Sequence, residues 1–221
     1  MMTLKNYKCL AIIGRAGSGK DTLAKYINEY LFGTTHCLYL CNLKFSDPLK
    51  NAVCEIFGWD RRKIDELEYK EEQLNSPYRV WKYNRREDAL FDKMPLSLNT
   101  RREILQYVGT DVFRSLDPDI WVKAALRDAA ETADVCEVTG FVSTDCRFPN
   151  EQEGLVKTFG KTLFVRLHRQ GEKQNDTHTS EKIDLLHADM EFRVANGDLQ
   201  RLREIAKLVA NDFFPELVKE S

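Results

Sequence analysis

The sequence predicts an α/β fold: a doubly wound, five-stranded parallel sheet with helices on both faces and an inserted segment that is helical or lid-like. Short apolar runs alternate with amphipathic helical patterns along most of the chain, and this alternation is the main evidence for the fold. A second observation is a glycine-rich turn that joins the first apolar run to the first helical pattern. The length of 221 residues is sufficient for a single domain, 1–221, with a segment inserted in it.

The five predicted strands share a short length and a high content of valine, isoleucine, leucine and phenylalanine, which is typical of buried parallel strands. They are 9–13, 37–41, 135–143, 162–167 and 191–196. The predicted helices are 20–32, 47–57, 101–109, 119–132 and 198–213. In the last of these, apolar residues recur at spacings of three and four from Leu199 to Phe213, so one face of the helix is apolar.

Residues 60–100 differ from the rest of the chain, because they are dense in charged and aromatic residues and show no strand alternation. A disordered linker would lack aromatic residues such as Tyr69, Tyr78 and Trp81, so we expect an inserted subdomain on the substrate side of the fold. A second polar stretch, 168–182, follows the fourth predicted strand and is expected to form a lid-like loop.

Composition and charge disfavour several classes of protein. The net charge is −2 and the pI is about 6.1, so there is no basic excess of the kind that binds nucleic acid by releasing counterions, and no stable nucleic-acid partner is expected. No apolar run approaches the roughly 18–20 residues of a membrane-spanning helix, so no membrane association is expected. The six cysteines form no CxxC pair, which favours free thiols in a reducing cytoplasm over a metal site.

The glycine-rich turn 14-GRAGSGKDT-22 nearly matches the phosphate-binding pattern G-x-x-x-x-G-K-[ST], and it lies between a strand and a helix as that pattern requires. Its glycines permit positive φ angles, so several backbone amides can point toward one phosphate group. The following helix adds its free N-terminal amides, and Lys20 adds a charge that can bridge the β- and γ-phosphates. We therefore predict that the phosphate groups of a nucleoside triphosphate bind here, through Gly14, Ala16, Gly17, Ser18, Gly19, Lys20, Asp21 and Thr22.

One position departs from the pattern. Asp21 occupies the place where a serine or threonine normally helps to hold Mg²⁺, and Thr22 follows it. Either residue can supply an oxygen ligand to Mg²⁺, and the choice between them stays open at this stage. A GTPase is disfavoured, because the guanine-reading pattern N-K-x-D does not occur in the sequence.

Three further stretches indicate which class of nucleotide-binding protein this chain resembles: 45-FSDPLKNAV-53, 101-RREILQYVGTDVFRSLDPDIWV-122 and 144-TDCRFPNE-151. Together with the glycine-rich turn they closely resemble the deoxynucleoside monophosphate kinases of tailed bacteriophages. That family shows G-K-D-T in its phosphate-binding turn, followed by F-x-D-P-L-K, R-x-x-L-Q-x-x-G-T and D-x-R-F-P-N-E. The stretches 178-HTSE-181 and 196-NGDLQRL-202 also fit, so the resemblance covers nearly the whole chain and implies a P-loop kinase fold.

The resemblance implies a transferase that moves the γ-phosphoryl group of ATP to a deoxynucleoside 5′-monophosphate, with Mg²⁺ as a cofactor. The product would be a deoxynucleoside diphosphate for DNA precursor synthesis. The resemblance also implies small-molecule nucleotide substrates and a cytoplasmic location, which is that of the host cell if the protein is encoded by a bacteriophage. A homodimer is expected on the same basis.

The expected catalytic residues are Lys20, Asp145, Arg147 and Arg166. Asp145 lies at the carboxyl end of a predicted strand, where it can bind Mg²⁺ through water or orient the acceptor, or can serve as a helix cap or turn residue. Arg147 can hold the acceptor phosphate with two hydrogen bonds, although a structural salt bridge explains it too. Arg166 and Arg169 enter the predicted lid loop and can close on the phosphates, or they are ordinary surface arginines.

The expected acceptor-binding residues are Asp47, Lys50, Arg102, Gln106, Arg114, Trp121, Asp176, His178 and Glu181. Structural alternatives exist for several of them. Asp47 can belong to the cap of a helix that begins at 46-SDPLK-50, and Trp121 can be a core aromatic residue rather than a stacking surface for a base. The three residues of the polar loop are explained equally well by a solvated loop with a helix cap at Ser180.

Two other functions compete with this interpretation. A dephospho-coenzyme A kinase has a similar outline, with a short strand, Asn-Gly and a helix at its end, but it does not account for the R-x-x-L-Q-x-x-G-T and D-x-R-F-P-N-E stretches. A nucleotide-dependent regulator of nucleic acid would use 79-RVWKYNRR-86 as a basic and aromatic strip for stacked bases. The acidic stretches 65-DELE-68 and 87-ED-88 flank that strip and weaken this second alternative.

Overall fold

A computed structural model describes residues 4–35, 40–85, 91–170, 183 and 185–218. The chain divides into two compact units. Unit 1 comprises Met1–Phe45 and Val122–Ser221, and unit 2 comprises Ser46–Trp121. Each unit has its own hydrophobic core.

The strands, in chain order, are β1 (Lys8–Ile13), β2 (Leu40–Asn42), β3 (Gln73–Arg85), β4 (Phe91–Thr100), β5 (Gly140–Ser143), β6 (Lys161–Arg169) and β7 (Met190–Val194). The α-helices are α1 (Lys20–Thr35), α2 (Asp47–Phe57), α3 (Leu67–Glu71), α4 (Arg101–Gln106), α5 (Arg114–Leu116), α6 (Ile120–Val135), α7 (Pro149–Thr158), α8 (Leu199–Phe213) and α9 (Pro215–Val218). A 3₁₀ turn, Leu4–Asn6, precedes β1, and a π-helical segment, Tyr107–Phe113, links α4 to α5.

Unit 1 contains a five-stranded sheet of order β2-β5-β1-β6-β7, in which all neighbouring strands are parallel. Side chains of β1 alternate between two core clusters. Leu10 and Ile12 pack with residues of α1 and α8, whereas Cys9, Ala11 and Ile13 pack with residues of α6 and α7. Because successive side chains of a strand point to opposite faces, these clusters cover both faces of the sheet. The predicted doubly wound α/β fold is confirmed.

Unit 1 differs from the prediction in one strand boundary and in one additional helix. The predicted strand 135–143 begins only at Gly140, because α6 continues to Val135, whose side chain is exposed at the helix end. Helix α7 was not predicted, since its sequence PNEQEGLVKT is mostly polar and carries only a weak apolar period. Pro149 at its start and the buried carboxylate of Glu151 one turn in are the local signals for this helix.

The expectation that residues 60–100 form a helical insertion without strand alternation is wrong, because unit 2 contains two strands in this range. Strands β3 and β4 form an antiparallel hairpin within Gln73–Thr100, with Val80 opposite Leu96 and Trp81 opposite Pro95. Val80 packs against the core of unit 2, whereas the side chain of Trp81 is exposed. The alternation exists, but exposed charged and aromatic side chains on the outer face obscure it in the sequence.

The core of unit 2 is formed by residues from its helices, its hairpin and the turn between α2 and α3, namely Val53, Cys54, Ile64, Leu98, Ile104 and Leu105. Helix α2 has the predicted bounds, because Pro48 favours its first turn and Gly58, with φ of 65°, ends it in the left-handed conformation. Gly109 lies in the π-helical segment, and a Cβ atom at this position would come within 2.6 Å of Leu49 Cδ2.

Among the described residues, no helix combines the length and the apolar character needed to cross a bilayer. The cysteines in this part of the chain are free thiols: Cys9, Cys41, Cys54, Cys136 and Cys146.

Candidate active site

The glycine-rich turn follows β1 and ends where α1 begins at Lys20. Gly17 and Gly19 have φ angles of 75° and 95°, which a residue with a Cβ atom adopts only with strain. Gly14 is required for a different reason: a Cβ atom there would lie 2.7 Å from the backbone oxygen of Leu167 on β6. The turn is therefore packed closely against the sheet and is bent by left-handed glycines.

Two side chains of the turn are suited to an anionic ligand. The ammonium group of Lys20 lies 2.7 Å from the backbone oxygen of Arg15, so it is held against the turn. The hydroxyl of Ser18 is buried and has no hydrogen-bond partner among the described residues. A phosphate oxygen would give this hydroxyl a partner, and the N-terminus of the 16-residue helix α1 favours negative charge at the same place.

The first turn of α1 carries the oxygen atoms that could hold Mg²⁺. Asp21 is exposed, and one of its oxygens, Oδ1, accepts a hydrogen bond of 2.6 Å from the hydroxyl of Thr144. Thr22 lies next to it on the same turn. No cluster of three or more His, Cys, Asp or Glu side chains arranged for a metal occurs in the described part of the chain. This donor set fits Mg²⁺, which takes one or two protein oxygens and completes its shell with water and phosphate.

A cavity of about 160 Å³ in unit 1 lies beside the turn. The lining residues come from the turn, from the end of β6, and from the connection between β7 and α8; they include Gly17, Gly19, Thr22, Arg169, Asn196 and Gly197. Arg169 links two of these walls, because its guanidinium donates to the backbone oxygen of Gly17 at 3.1 Å and to the side chain of Asn196. The cavity thus adjoins the predicted phosphate site directly.

Asp145 lies two residues beyond the end of β5. Its Oδ1 atom accepts hydrogen bonds from the backbone amide of Phe45 at 3.1 Å and from the hydroxyl of Ser143 at 3.4 Å. The carboxylate therefore joins the segment after β2 to the segment after β5. This geometry provides the structural role of a turn residue, and the catalytic role of Asp145 stays a prediction.

Arg147 is exposed, and its guanidinium has no ion-pair partner within the described ranges. Its backbone amide and that of Phe148 both donate to the carboxylate of Glu151, which is only 2% exposed. Glu151 thus fixes the backbone from which Arg147 projects. Sequence reasoning missed this residue, although its position three residues into a helix that begins with proline is a capping signal.

Arg166 occupies a different environment. Its guanidinium lies 2.8 Å from the carboxylate of Glu191 on β7, and it donates to the backbone oxygens of Ile183 and Leu186. The hydrogen bond from His168, together with the nearby charge of Arg166, lowers the pKa of Glu191. In this arrangement Arg166 ties β6 to β7 and to the short segment before β7, which is a structural role.

In unit 2, Lys50 is nearly buried between two carboxylates. Its ammonium group lies 2.7 Å from Asp65 and 3.3 Å from Asp47, and Arg61 contacts the same two residues at 3.1 Å and 2.9 Å. Burial acts to raise the pKa of Asp65, but the hydrogen bonds from Lys50 and Arg61, together with the charges of Lys50 and Lys70, lower it to about 2. These four residues form an ion-pair network that contains two of the predicted acceptor-binding residues.

Asp65→Asn is expected to make unfolding less sensitive to acid. Because the pKa of Asp65 is lowered from its ordinary value of 3.8 to about 2, its ionised form stabilises the folded state above pH 3.8, and this contribution is lost as the pH falls toward 2. Urea unfolding at pH 7 should therefore show a destabilised variant, and the difference from the wild type should shrink below about pH 4.

Asp128→Asn is the matched control, because the carboxylate of Asp128 contacts only the exposed side chain of Arg127 at 3.4 Å among the ion pairs described. Its effect should be small at every pH. A constant difference between Asp65→Asn and the wild type from pH 7 down to pH 3 would contradict this account of the network.

The remaining predicted acceptor-binding residues have separate contacts within unit 2. Trp121 is 6% exposed, donates from Nε1 to the backbone oxygen of Gly109 at 3.0 Å, and packs edge-to-face on Phe113. This burial favours the core interpretation of Trp121. Arg102 pairs with Glu71, Arg114 donates to a backbone oxygen at 3.4 Å, and Gln106 is exposed.

Asp176, His178 and Glu181 lie outside the described residues, as does most of the predicted lid loop 168–182.

A sequence model of a family described as "Deoxynucleotide monophosphate kinase" matches residues 35–205, which is well over half of the chain. The match begins after the glycine-rich turn, so the turn is evidence independent of it. No curated protein matches. A solved structure titled as an unliganded sugar kinase from Janibacter sp. HTCC2649 is 15% identical, covers 96% of this chain and 99% of its own, and has a TM-score of 0.45, too low to carry an argument.

Proposed function

This chain belongs to the deoxynucleotide monophosphate kinase family, and from that premise we propose that it transfers the γ-phosphoryl group of ATP to a deoxynucleoside 5′-monophosphate. The products are ADP and a deoxynucleoside diphosphate for DNA precursor synthesis. The observation that carries the ATP half of this proposal is the glycine-rich turn, with two left-handed glycines, the ammonium group of Lys20 held against it, and α1 directly behind it.

The reaction needs little covalent help from the protein. An oxygen of the acceptor phosphate attacks the γ-phosphorus, the bond to the β,γ-bridging oxygen breaks, and that oxygen leaves with ADP. The second pKa of a phosphate monoester is about 6, so the attacking oxygen is already ionised at pH 7 and no general base is required. The protein contributes positioning and positive charge, since phosphoryl transfer is catalysed almost entirely by these two effects.

Each part of the donor site has a role in this proposal. The backbone amides of the turn and Lys20 bind the β- and γ-phosphates, and the N-terminus of α1 favours their charge. Asp21 and Thr22 are the residues that would hold Mg²⁺, which supplies Lewis-acid neutralisation of the developing charge when it is bound. The cavity beside the turn, with Arg169 and Asn196, receives the nucleoside end of ATP.

Arg169→Ala is expected to raise the KM for ATP about tenfold, because a hydrogen bond to a charged group contributes on the order of 1.5 kcal/mol. The variant loses the contacts with the backbone oxygen of Gly17 and with Asn196, so two walls of the cavity are no longer joined. Arg193→Ala, which removes an exposed arginine on the neighbouring strand β7, is the control. An unchanged KM for ATP in Arg169→Ala would contradict this assignment of the cavity.

For the acceptor we propose Arg147, with Asp145 orienting the reacting groups. Arg147 is exposed, lies just beyond the carboxyl end of a sheet strand, and has no ion-pair partner among the described residues, as a phosphate-binding arginine requires. We also propose acceptor contacts from Asp47, Lys50, Arg102, Gln106 and Arg114 in unit 2, and from Asp176, His178 and Glu181. Substitution of a residue that binds the acceptor should raise the KM for the acceptor without changing the KM for ATP.

A panel of acceptors tests the proposed function. ADP release would be measured with the four common deoxynucleoside monophosphates, a modified pyrimidine deoxynucleotide, the ribonucleoside monophosphates and dephospho-coenzyme A. We expect turnover with at least one deoxynucleoside monophosphate and a higher kcat/KM for it than for its ribonucleotide. Turnover with dephospho-coenzyme A alone would overturn the proposal.

Family membership also underlies the expectation that the enzyme works in the cytoplasm, that of the host cell if a bacteriophage encodes the protein, and forms a homodimer. Light scattering of the purified protein would measure its oligomeric state directly.

A further inference from the structure

We propose that Thr144 is a positioning residue for Mg²⁺ bound together with ATP. Its hydroxyl fixes the carboxylate of Asp21, which occupies the position where a phosphate-binding turn normally has serine or threonine. The inference rests on the proposed function, and it assigns to Asp21, supported by Thr144, the contact with the metal that the sequence left open between Asp21 and Thr22.

The sheet brings these two residues together, although they are 123 residues apart in sequence. Strand β5 pairs with β1, and Ser143 at the end of β5 lies opposite Ala11. Thr144 is the next residue after β5, so it lies near the end of β1 from which the glycine-rich turn departs. Its side chain is only 6% exposed, and its Oγ1 atom is 2.6 Å from Oδ1 of Asp21.

The chemistry gives this contact a direction. An ionised carboxylate only accepts hydrogen bonds, so the hydroxyl of Thr144 donates its proton to Asp21. The bond is short, as is usual for a hydroxyl that donates to a charged acceptor. Among the described residues, Oδ2 of Asp21 has no recorded partner, so this oxygen retains its capacity for a metal. A buried donor on one oxygen therefore orients an exposed carboxylate that would otherwise sample several rotamers.

The neighbours of Thr144 are held in place by other contacts. The hydroxyl of Ser143 donates to Asp145, and the same carboxylate accepts from the backbone amide of Phe45. Between these two residues, the side chain of Thr144 bonds to Asp21 of α1. Because the flanking residues are tied to the sheet and to the β2–α2 connection, Thr144 presents its hydroxyl from a fixed backbone, and the orientation of Asp21 is set before any ligand arrives.

The test compares Thr144→Val with the wild type by calorimetric titration of ATP, once in EDTA and once in Mg²⁺. Valine has nearly the shape of threonine but lacks the hydroxyl. We expect ATP affinity in EDTA to stay within about twofold of the wild type, and the additional affinity gained with Mg²⁺ to fall roughly tenfold, as is usual when a residue that supports a metal ligand is lost. Thr144→Ser should restore the gain, because it keeps the hydroxyl.

Thr132→Val is the matched control, since it removes a threonine hydroxyl that only donates to a backbone oxygen within α6. It should leave both affinities unchanged. If Thr144→Val unfolds, as its melting curve would show, Thr144→Ala gives the same comparison. In an Asp21→Ala background the substitution of Thr144 should cost nothing further, because Thr144 acts through Asp21.

Equal losses in EDTA and in Mg²⁺ would overturn the inference, because the hydrogen bond would then only hold α1 against the sheet. Unchanged affinities in both buffers, or an undiminished loss in the Asp21→Ala background, would overturn it as well. If the proposed function itself were wrong, the wild type would bind no ATP in either buffer, and this outcome is distinguishable from those above.

Discussion

Lys20→Ala is expected to lower kcat about a thousandfold, the magnitude seen when a group that stabilises transition-state charge is removed. The ammonium group lies 2.7 Å from the backbone oxygen of Arg15 and is thus already held against the turn that we propose for the β- and γ-phosphates. The side chain is only partly buried and belongs to no core cluster, so the melting temperature should change little. Coupled ADP-release kinetics and thermal unfolding measure the two effects.

Lys25→Ala is the control for this substitution. Lys25 belongs to the same helix α1 but is exposed, and its 3.7 Å ion pair with Glu29 is worth little in water. Its kinetics should match those of the wild type. Activity of Lys20→Ala within a few-fold of the wild type would contradict the phosphate role of Lys20.

Arg147→Ala is expected to lower kcat/KM for the acceptor about a hundredfold, since loss of a positioning group typically has an effect of this size. Its guanidinium is exposed and has no ion-pair partner among the described residues, so the free energy of unfolding should stay the same within error. Steady-state kinetics with the best acceptor, at saturating ATP, would measure the loss.

Arg166→Ala is the informative comparison, because both arginines were predicted as catalytic and their environments differ. Removing Arg166 takes one hydrogen-bond donor from Glu191 and one from each of two backbone oxygens, so we expect destabilisation of about 1–3 kcal/mol in urea unfolding. The reverse pattern, with Arg147→Ala unstable and Arg166→Ala stable but inactive, would show that the roles of the two residues are exchanged.

The fold was predictable where the signal is local. The sequence contains the glycines that bend the turn and the proline and glycine that bound α2, so both elements were predicted with nearly the observed limits. The hairpin β3–β4 was missed because an exposed strand face can carry charged and aromatic residues, which hide the period of two. Helix α7 was missed because its stability depends on Glu151, a buried carboxylate in a polar sequence.

In the candidate site, the residues of the glycine-rich turn could be predicted from the sequence, whereas the contacts between distant segments could not. The glycine-rich turn is one continuous motif, so the residues proposed for phosphate binding can all be named from the sequence, and their role stays a prediction. Contacts between distant segments could not be predicted, because they depend on the order of the strands in the sheet. Asp21 contacts Thr144 because β1 lies beside β5, and Arg169 contacts Gly17 because β1 also lies beside β6. Arg166 contacts Glu191 because β6 lies beside β7. Nothing in the local sequence around Arg166 distinguishes a structural arginine from a catalytic one.

The most direct test of the account is a crystal structure with Mg²⁺ and a non-hydrolysable ATP analogue. We predict that the β- and γ-phosphates lie within hydrogen-bond distance of the backbone amides of residues 17–22 and of the Lys20 ammonium group, with the nucleoside in the cavity beside Arg169. A triphosphate bound elsewhere, with the glycine-rich turn unoccupied at saturating analogue, would contradict the central claim.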